Sequence, residues 1–93
     1  MNIRFYIDPE TGDPHIHIHQ VEEHEVVEVL QRPLEDRTGR DNSRVALGQT
    51  KAGRYLRVIY VRDEEPESVF VITAYDLSSR EKQALSRRRK KRP

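Results

Sequence analysis

The sequence predicts an α+β domain in which two short helices pack on an antiparallel sheet, and the spacing of its apolar residues carries this prediction. Three segments, at about 44–49, 54–61 and 68–75, are predicted to be β-strands, whose two-residue period divides their side chains between two faces. Residues 21–31 instead space apolar residues as an amphipathic helix does. Because 93 residues correspond to one domain, these elements are expected to share one small core.

The N-terminal part of the chain predicts a strand followed by helical segments. Residues 3–7 alternate in the manner of a half-buried strand, and residues 11–14 have turn composition. A proline after an aspartate suits the start of a helix, so residues 14–19 are predicted to form one or two helical turns. The longer helix over 21–31 is expected to end before Pro33.

Short connections join the remaining elements and predict a meander of three to four antiparallel strands. Residues 35–43 have no apolar side chain and are predicted to be a mobile loop. Residues 51–53 form a hairpin connection in which Gly53 can adopt a positive φ. Residues 63–67 form a second, acidic turn, and connections of this length favour antiparallel neighbours.

The alternation within the strands predicts a core face and an open face of the sheet. The predicted core face, under the helices, comprises Val45, Leu47, Leu56, Val58, Tyr60, Phe70, Ile72 and Ala74. The predicted open face comprises Arg44, Ala46, Tyr55, Arg57, Ile59, Val61, Val69, Val71, Thr73 and Tyr75. Its aliphatic members indicate a partner protein, a covering segment or a second copy of the chain.

Charge is distributed unevenly along the chain and divides it into a body and a basic end. Residues 80–93 carry eight Lys/Arg and one Glu, whereas residues 1–79 carry nine Lys/Arg and fifteen Asp/Glu. We expect one domain over 1–79 and a basic helix or disordered tail over 80–93. Such a tail favours polyanions, most often nucleic acid, although a purely solvating role is the alternative.

Composition narrows the classes of protein that the chain can belong to. The sequence has no cysteine, which excludes disulfides and thiolate metal sites. It has no apolar run of the roughly 18 residues that a membrane span needs and no signal-peptide pattern. The cytoplasm is the expected location.

Histidines form the first group that could carry chemistry. His15, His17 and His19 would share one face of a strand, whereas on a helix only His15 and His19 would do so. Histidine exchanges protons near neutral pH and also binds metals, so a catalytic histidine and a metal site are both open. The third interpretation is that these histidines only pack against the domain or are exposed to solvent.

Arginines and tyrosines of the predicted sheet form the second group. Guanidinium groups suit phosphate oxygens, and tyrosines can stack on unpaired bases. The arginines concerned are Arg37, Arg40, Arg44, Arg54 and Arg57, and the tyrosines are Tyr55 and Tyr75. The alternative is that these arginines pair with the carboxylates of the body.

Short motifs along residues 3–86 show a family resemblance. They are Phe5-Tyr6-Ile7-Asp8-Pro9, His19-Gln20-Val21-Glu22-Glu23, Ser43-Arg44-Val45-Ala46-Leu47-Gly48, Gly53-Arg54-Tyr55-Leu56-Arg57-Val58 and Ile72-Thr73-Ala74-Tyr75. In content and order they resemble the RelE-like toxins of type II toxin–antitoxin systems, and more narrowly the BrnT branch. The chain has Ile18, Gln20 and Tyr75 where that branch has lysine, glycine and arginine.

The resemblance implies a RelE-like fold and an endoribonuclease that cleaves RNA through its 2′-hydroxyl, without a metal or another cofactor. It implies catalytic roles for His19 as acid or base, for Arg44 on the phosphate, and for Tyr75 in orienting the scissile nucleotide or as a weak acid. Residues expected to bind RNA or phosphate are Arg57, Arg54, Tyr55, Arg87, Arg88 and Arg89. The implied partners are RNA, free or on the ribosome, and a cognate antitoxin on the open sheet face.

Two other functions remain open from the residues. One is a non-catalytic module that binds nucleic acid with its tail and dimerises through Ile59, Val61, Val69 and Val71. The other is a metal-binding regulatory protein that uses His15, His17 and His19 as ligands.

Overall fold

The computed structural model describes residues 2–65 and 67–90, in which a five-stranded mixed sheet carries helices on both faces. The elements are β1 (Asn2–Phe5), a 3₁₀ helix η1 (His15–His19), α1 (Glu23–Gln31), β2 (Glu35–Thr38), β3 (Arg44–Gln49), β4 (Tyr55–Arg62), β5 (Ser68–Asp76) and α2 (Ser79–Lys90). The α+β class is thereby confirmed, and the three predicted C-terminal strands are present. The strand order is β1-β5-β4-β3-β2, with β1 parallel to β5 and the other pairs antiparallel.

The predicted loop over 35–43 was wrong in its first part, because Glu35–Thr38 pairs with β3 as an edge strand. The register places Glu35 opposite Leu47, and the Leu34 N–H donates to the Leu47 carbonyl at 2.8 Å. Backbone hydrogen bonds hold such a strand without apolar side chains of its own. Charged residues are also common on sheet edges, where they prevent aggregation. Composition alone therefore concealed β2.

The larger hydrophobic cluster lies between η1, α1 and one face of the sheet, here called face one. Ile16 is 1% exposed, and the side chains of Val26 and Val29 are fully buried. The buried members of this cluster are Ile16, Val21, Val26, Val29, Leu30, Ala46, Leu56, Val58, Tyr60, Val69, Val71 and Ala74. Ile3 and Phe5 of β1 pack against it.

Local sequence explains where α1 begins and how closely it approaches the sheet. Glu22 and Glu25 form a reciprocal capping box, which satisfies backbone N–H groups at the start of the helix. Gly48 of β3 lies directly beneath Val29, so that a Cβ at Gly48 would be 2.9 Å from Val29 Cγ1. The absent side chain therefore allows α1 to rest on β3.

The opposite side of the sheet, face two, carries a second cluster beneath α2. Val45 and Leu47 of β3 pack there with Leu77 and Leu85. Leu34, Tyr55 and Ile59 are partly buried around them. The sheet therefore has a helical layer on each face, where the sequence predicted a layer on one.

The predicted division of the strands into a core face and an open face was wrong for β3 and for part of β5. Val45 and Leu47 lie on face two, while Ala46 lies in the main cluster. Val69 and Val71, predicted to be open, are also in the main cluster. In β5 the register shifts at a β-bulge opposite Ile59 and Tyr60. The bulge inverts the alternation of side chains between the two faces, so that Phe70 is half-buried and Ile72 is 36% exposed.

Helix α2 begins with reciprocal hydrogen bonds between Ser78 and Glu81. Leu85, 2% exposed, anchors it to face two. The helix extends through Lys90, and the remaining residues of the basic run lie outside the described part of the chain. Among residues 2–65 and 67–90, no helix has the length and apolar character needed to cross a membrane.

Candidate active site

The histidines of η1 point in two directions. The ring centroids of His15 and His19 are 5.6 Å apart, with the rings nearly perpendicular at 75°. His17 instead contacts Glu23, with 2.6 Å between its Nε2 and the Glu23 Oε1. The helical spacing considered from the sequence, which unites His15 and His19 and separates His17, is therefore the one present.

Two tyrosines extend the histidine pair into a line of four side chains. The ring of Tyr6 lies 6.0 Å from that of His15, and the ring of Tyr75 lies 5.7 Å from that of His19. We call Tyr6, His15, His19 and Tyr75 the ring row. Tyr6 is 40% exposed and His19 is also exposed, so the row is open to solvent.

The ring row exists because β1 is much shorter than the strand beside it. β1 pairs with residues 68–71 of β5, and β5 continues to Asp76. The chain then turns so that η1 lies along the rest of that edge. The Tyr6 N–H donates to the Val71 carbonyl at 2.8 Å, and the His15 N–H donates to the Tyr6 carbonyl at 2.9 Å.

Asp8 holds one end of the ring row. Its Oδ2 lies 3.3 Å from Nδ1 of His15, and its Oδ1 accepts the Glu10 N–H at 2.9 Å. The Asp8 carbonyl also accepts the Gly12 N–H at 2.8 Å. The turn sequence after β1 therefore fixes a carboxylate against one nitrogen of His15, a contact that sets the tautomer and orientation of such a ring.

Arg54 holds the other end. Its Nε and Nη2 bind the Asp76 carboxylate at 2.7 and 3.0 Å, and its Nη1 binds the Gln20 carbonyl at 2.7 Å and Glu25 Oε1 at 3.0 Å. Its Nη2 also contacts the His19 carbonyl at 3.3 Å. The ion pair with Asp76 raises the pKa of Arg54 and lowers that of Asp76. Arg54 was predicted to bind phosphate, but its donors join the backbone of η1 to the end of β5.

The three predicted catalytic residues are only partly brought together. His19 and Tyr75 are neighbours, and Arg57 lies opposite Tyr75 on β4. Arg57 forms an ion pair with Glu81 of α2.

Arg44 lies elsewhere in the structure. It is opposite Tyr60 in the sheet register and binds Asp36 Oδ1 through its Nε at 2.9 Å. Asp36 also accepts a hydrogen bond from the Tyr60 hydroxyl, and burial together with Asp36 raises the pKa of Tyr60. Because Arg44 lies on β3, two strands away from β5, and binds Asp36 of β2, it does not join the ring row.

Most of the other residues predicted to bind RNA have partners within the chain. Tyr55 packs in the cluster beneath α2. Arg88 forms a two-pronged ion pair with Glu35 at 2.7 and 2.9 Å, and Arg89 donates to the Leu34 carbonyl at 2.9 Å. Arg87 is exposed on α2. The alternative that the sheet arginines pair with carboxylates of the body thus describes Arg37, Arg44 and Arg54. Arg57 pairs with Glu81 of α2 instead.

The three histidines considered as metal ligands do not converge on one point. His17 groups instead with Glu22 and Glu23, and one ligand atom from each of the three lies within 4.8 Å of the others. The hydrogen bond to Glu23 raises the pKa of His17 and lowers that of Glu23. These contacts account for His17 as an ion-pair partner at the start of α1.

Sequence reasoning missed the roles of Tyr6 and Asp8, and it left His15 open as a catalytic residue or a metal ligand while assigning the catalytic role to His19. A signal for His15 was present, because residues four apart on a helical segment lie on one side. No local pattern marks Asp8, since its contact with His15 depends on the turn between them. These residues therefore became visible only in the fold.

Comparison with known proteins gives one result. A family model described as "Domain of unknown function (DUF4258)" matches residues 18–76, from η1 to the end of β5. No curated protein and no solved structure matches the chain significantly.

Proposed function

We propose that this chain, which belongs to the DUF4258 family, is a metal-independent endoribonuclease. The description of the family names no activity, so the proposal rests on the geometry of the site. The observation that carries this proposal is the contact between His19 and Tyr75, with ring centroids 5.7 Å apart on an open edge of the sheet. A proton-transfer group thus lies beside an aromatic ring able to hold a nucleotide. The RelE-like, BrnT-like ancestry suggested by the motifs belongs to the same proposal.

The reaction uses the nucleophile that RNA itself provides. His19 takes a proton from the 2′-hydroxyl, whose oxygen attacks the neighbouring phosphorus, and the bond from phosphorus to the 5′-oxygen breaks. Tyr75 packs against the nucleotide and fixes its position. The products are a 2′,3′-cyclic phosphate and a 5′-hydroxyl, and no metal ion is required by this route.

The arginines nearest to the ring row are already compensated by carboxylates. Arg54 pairs with Asp76 and Glu25, and Arg57 pairs with Glu81. The proposed site therefore depends on the histidines and tyrosines of the ring row to position the phosphodiester.

Partners of the proposed enzyme follow from its remaining surfaces. RNA, free or on the ribosome, is attracted by exposed cations of α2 such as Arg87 and Lys90. A cognate antitoxin, or a second copy of the chain, binds the part of face two beyond α2, where Val61 and Phe70 are half-buried and Ile72 is exposed. The proposed location is the cytoplasm.

A cleavage assay tests the proposed function. Single-stranded RNA is incubated with the purified protein in excess chelator, and the new ends are analysed for 2′,3′-cyclic phosphates. His19→Gln is expected to lower the rate by about 10²-fold or more, and Tyr75→Leu to weaken substrate binding. His24→Gln, at an exposed position of α1, and Tyr55→Phe, beneath α2, are matched controls that should retain activity.

The same assay separates the proposal from its main alternative, a non-catalytic nucleic-acid-binding module. Binding of RNA without new ends, in a form that survives His19→Gln, would establish that alternative. Cleavage that survives His19→Gln would show that the active site lies elsewhere on the molecule.

A further inference from the structure

We propose that His15, held by Asp8, is the general acid of the ribonuclease site and protonates the leaving 5′-oxygen. This inference rests on the proposed function and adds to it a second catalytic residue. Cleavage of RNA needs two proton transfers at oxygens on opposite sides of one phosphorus, and a single histidine in the role of base provides one of them. The structure places a second imidazole next to His19.

The geometry of the two rings suits this division of work. Their centroids are 5.6 Å apart and their planes are nearly perpendicular, so the rings do not stack on each other. A phosphodiester bound across the pair would have one imidazole near the 2′-oxygen and the other near the 5′-oxygen. Tyr6 and Tyr75 lie at the two outer ends, each about 6 Å or less from the adjacent histidine.

Asp8 distinguishes His15 from His19. The Asp8 carboxylate meets Nδ1 of His15 at 3.3 Å, which leaves Nε2 as the nitrogen that exchanges a proton with substrate. A carboxylate in this position balances the charge of a protonated ring, as a general acid requires. Asp8 is 15% exposed at its side chain and His15 is 29% exposed, so the contact is partly shielded from water.

The groups that face His15 are few in the described part of the chain. They are Asp8 from the turn after β1, the phenol ring of Tyr6, and the imidazole of His19. Asp8 is the anionic member of this set. These contacts orient the ring, and Asp8 supplies the carboxylate at its Nδ1.

The complete step balances in protons and bonds. His19 accepts the proton of the 2′-hydroxyl while the bond from the 2′-oxygen to phosphorus forms. The bond from phosphorus to the 5′-oxygen then breaks, and His15 delivers its proton to that oxygen. Exchange with water returns both histidines to their starting forms, and no oxidant or reductant is involved.

Two substrates with different leaving groups test this role. One is the dinucleotide uridylyl-adenosine, whose 5′-oxygen needs a proton as it departs. The other is uridine 3′-(4-nitrophenyl phosphate), whose phenolate leaves without one. We expect His15→Gln to slow dinucleotide cleavage by about 10²-fold while changing aryl-ester cleavage by less than about threefold. His19→Gln should slow both reactions.

Matched variants control for effects on the fold. Asp8→Asn should slow dinucleotide cleavage by about tenfold or more and spare the aryl ester. His17 lies on the same 3₁₀ helix but contacts Glu23, and Asp13 lies in the same turn as Asp8. His17→Gln and Asp13→Asn should therefore cleave both substrates at about the wild-type rate. If His15→Gln does not fold, the substrate dependence of Asp8→Asn decides the question.

The outcomes separate this inference from the proposed function. If His15→Gln slows the cleavage of both substrates equally, or cleaves the dinucleotide at the wild-type rate, His15 is not the general acid. The proposed ribonuclease activity itself would still stand. A wild-type protein that cleaves neither substrate, nor RNA in the assay above, would overturn both.

Discussion

Arg54 and Asp76 form a two-pronged ion pair, with Nε to Oδ1 at 2.7 Å and Nη2 to Oδ2 at 3.0 Å. Because the same guanidinium also binds the carbonyls of His19 and Gln20, this pair connects η1 to the strand that carries Tyr75. The distance between His19 and Tyr75 therefore depends on a residue that lies outside the ring row.

Replacement of Arg54 by lysine should loosen this connection. An ammonium group cannot reproduce the fork that binds a carboxylate and two carbonyls together. We expect the free energy of unfolding to fall by about 1–2 kcal/mol, measured by urea unfolding followed by circular dichroism. Arg80→Lys, at an exposed position of α2, is the control and should be neutral. Equal stability of Arg54→Lys and wild type would refute the connecting role.

A methyl group at Gly48 should disturb the contact between α1 and β3. Gly48→Ala places a Cβ 2.9 Å from Val29 Cγ1, so the Val29 side chain or the helix that carries it has to shift. The expected loss is about 1–3 kcal/mol in the free energy of unfolding. In the double variant Gly48→Ala/Val29→Ala the clash is relieved, and the two losses should be clearly non-additive. Strict additivity would show that the two positions do not interact.

His17 should give the protein a component of stability that depends on pH. The hydrogen bond to Glu23 raises the pKa of His17 above its ordinary value of 6.5. This contribution is fully present below about pH 6.5 and is lost as the pH rises through the raised pKa. We therefore expect the difference in thermal midpoint between wild type and His17→Gln to be larger at about pH 5.5 than at about pH 8.5.

His24→Gln is the control for this measurement, because His24 is exposed on α1. A difference between wild type and His17→Gln that is the same at both pH values would exclude the ion pair as its source.

Leu85 should be the main anchor of α2 on face two. It is 2% exposed and packs with Val45, Leu47 and Leu77. Leu85→Ala removes buried methyl groups and should lower the free energy of unfolding by about 2–4 kcal/mol, measured by urea titration. Leu85→Met conserves volume and should cost less than about 1.5 kcal/mol. A neutral Leu85→Ala would indicate that α2 is held by its Arg88–Glu35 ion pair instead.

Elements with strong periodicity were predictable from the sequence. The predicted strands at 44–49, 54–61 and 68–75 differ from β3, β4 and β5 by no more than one residue at either end. The helix predicted over 21–31 begins two residues later, at Glu23, because Glu22 caps it. Alternating or helical spacing fixes such segments locally, before tertiary contacts are known.

Face assignment failed where the sheet is buried on both sides. Val45, Ala46 and Leu47 are all at most 8% exposed, so hydrophobicity does not show which way each side chain points. The bulge near Ile72 adds a shift of one residue, which moves the following side chains to the other face. Both effects arise from tertiary structure and leave no clear mark in the local pattern.

For the candidate site, the sequence supplied His19, Tyr75 and Arg57, which the fold places near one another. Arg44 was predicted beside them from a motif, whereas the fold pairs it with Asp36. Asp8 and Tyr6 entered the site because the chain turns back after β1. A turn of this kind depends on long-range strand pairing, which one sequence does not reveal.

The parallel pairing of β1 with β5 has a consequence for the time at which the ring row can form. Residues 2–5 wait for residues 68–71 before they acquire a strand neighbour, although they are made first. Contacts between such distant positions form slowly, because a long segment must close on itself. On the ribosome, Tyr6, His15 and His19 therefore emerge well before Tyr75, and a chain still under synthesis holds three of the four members of its ring row.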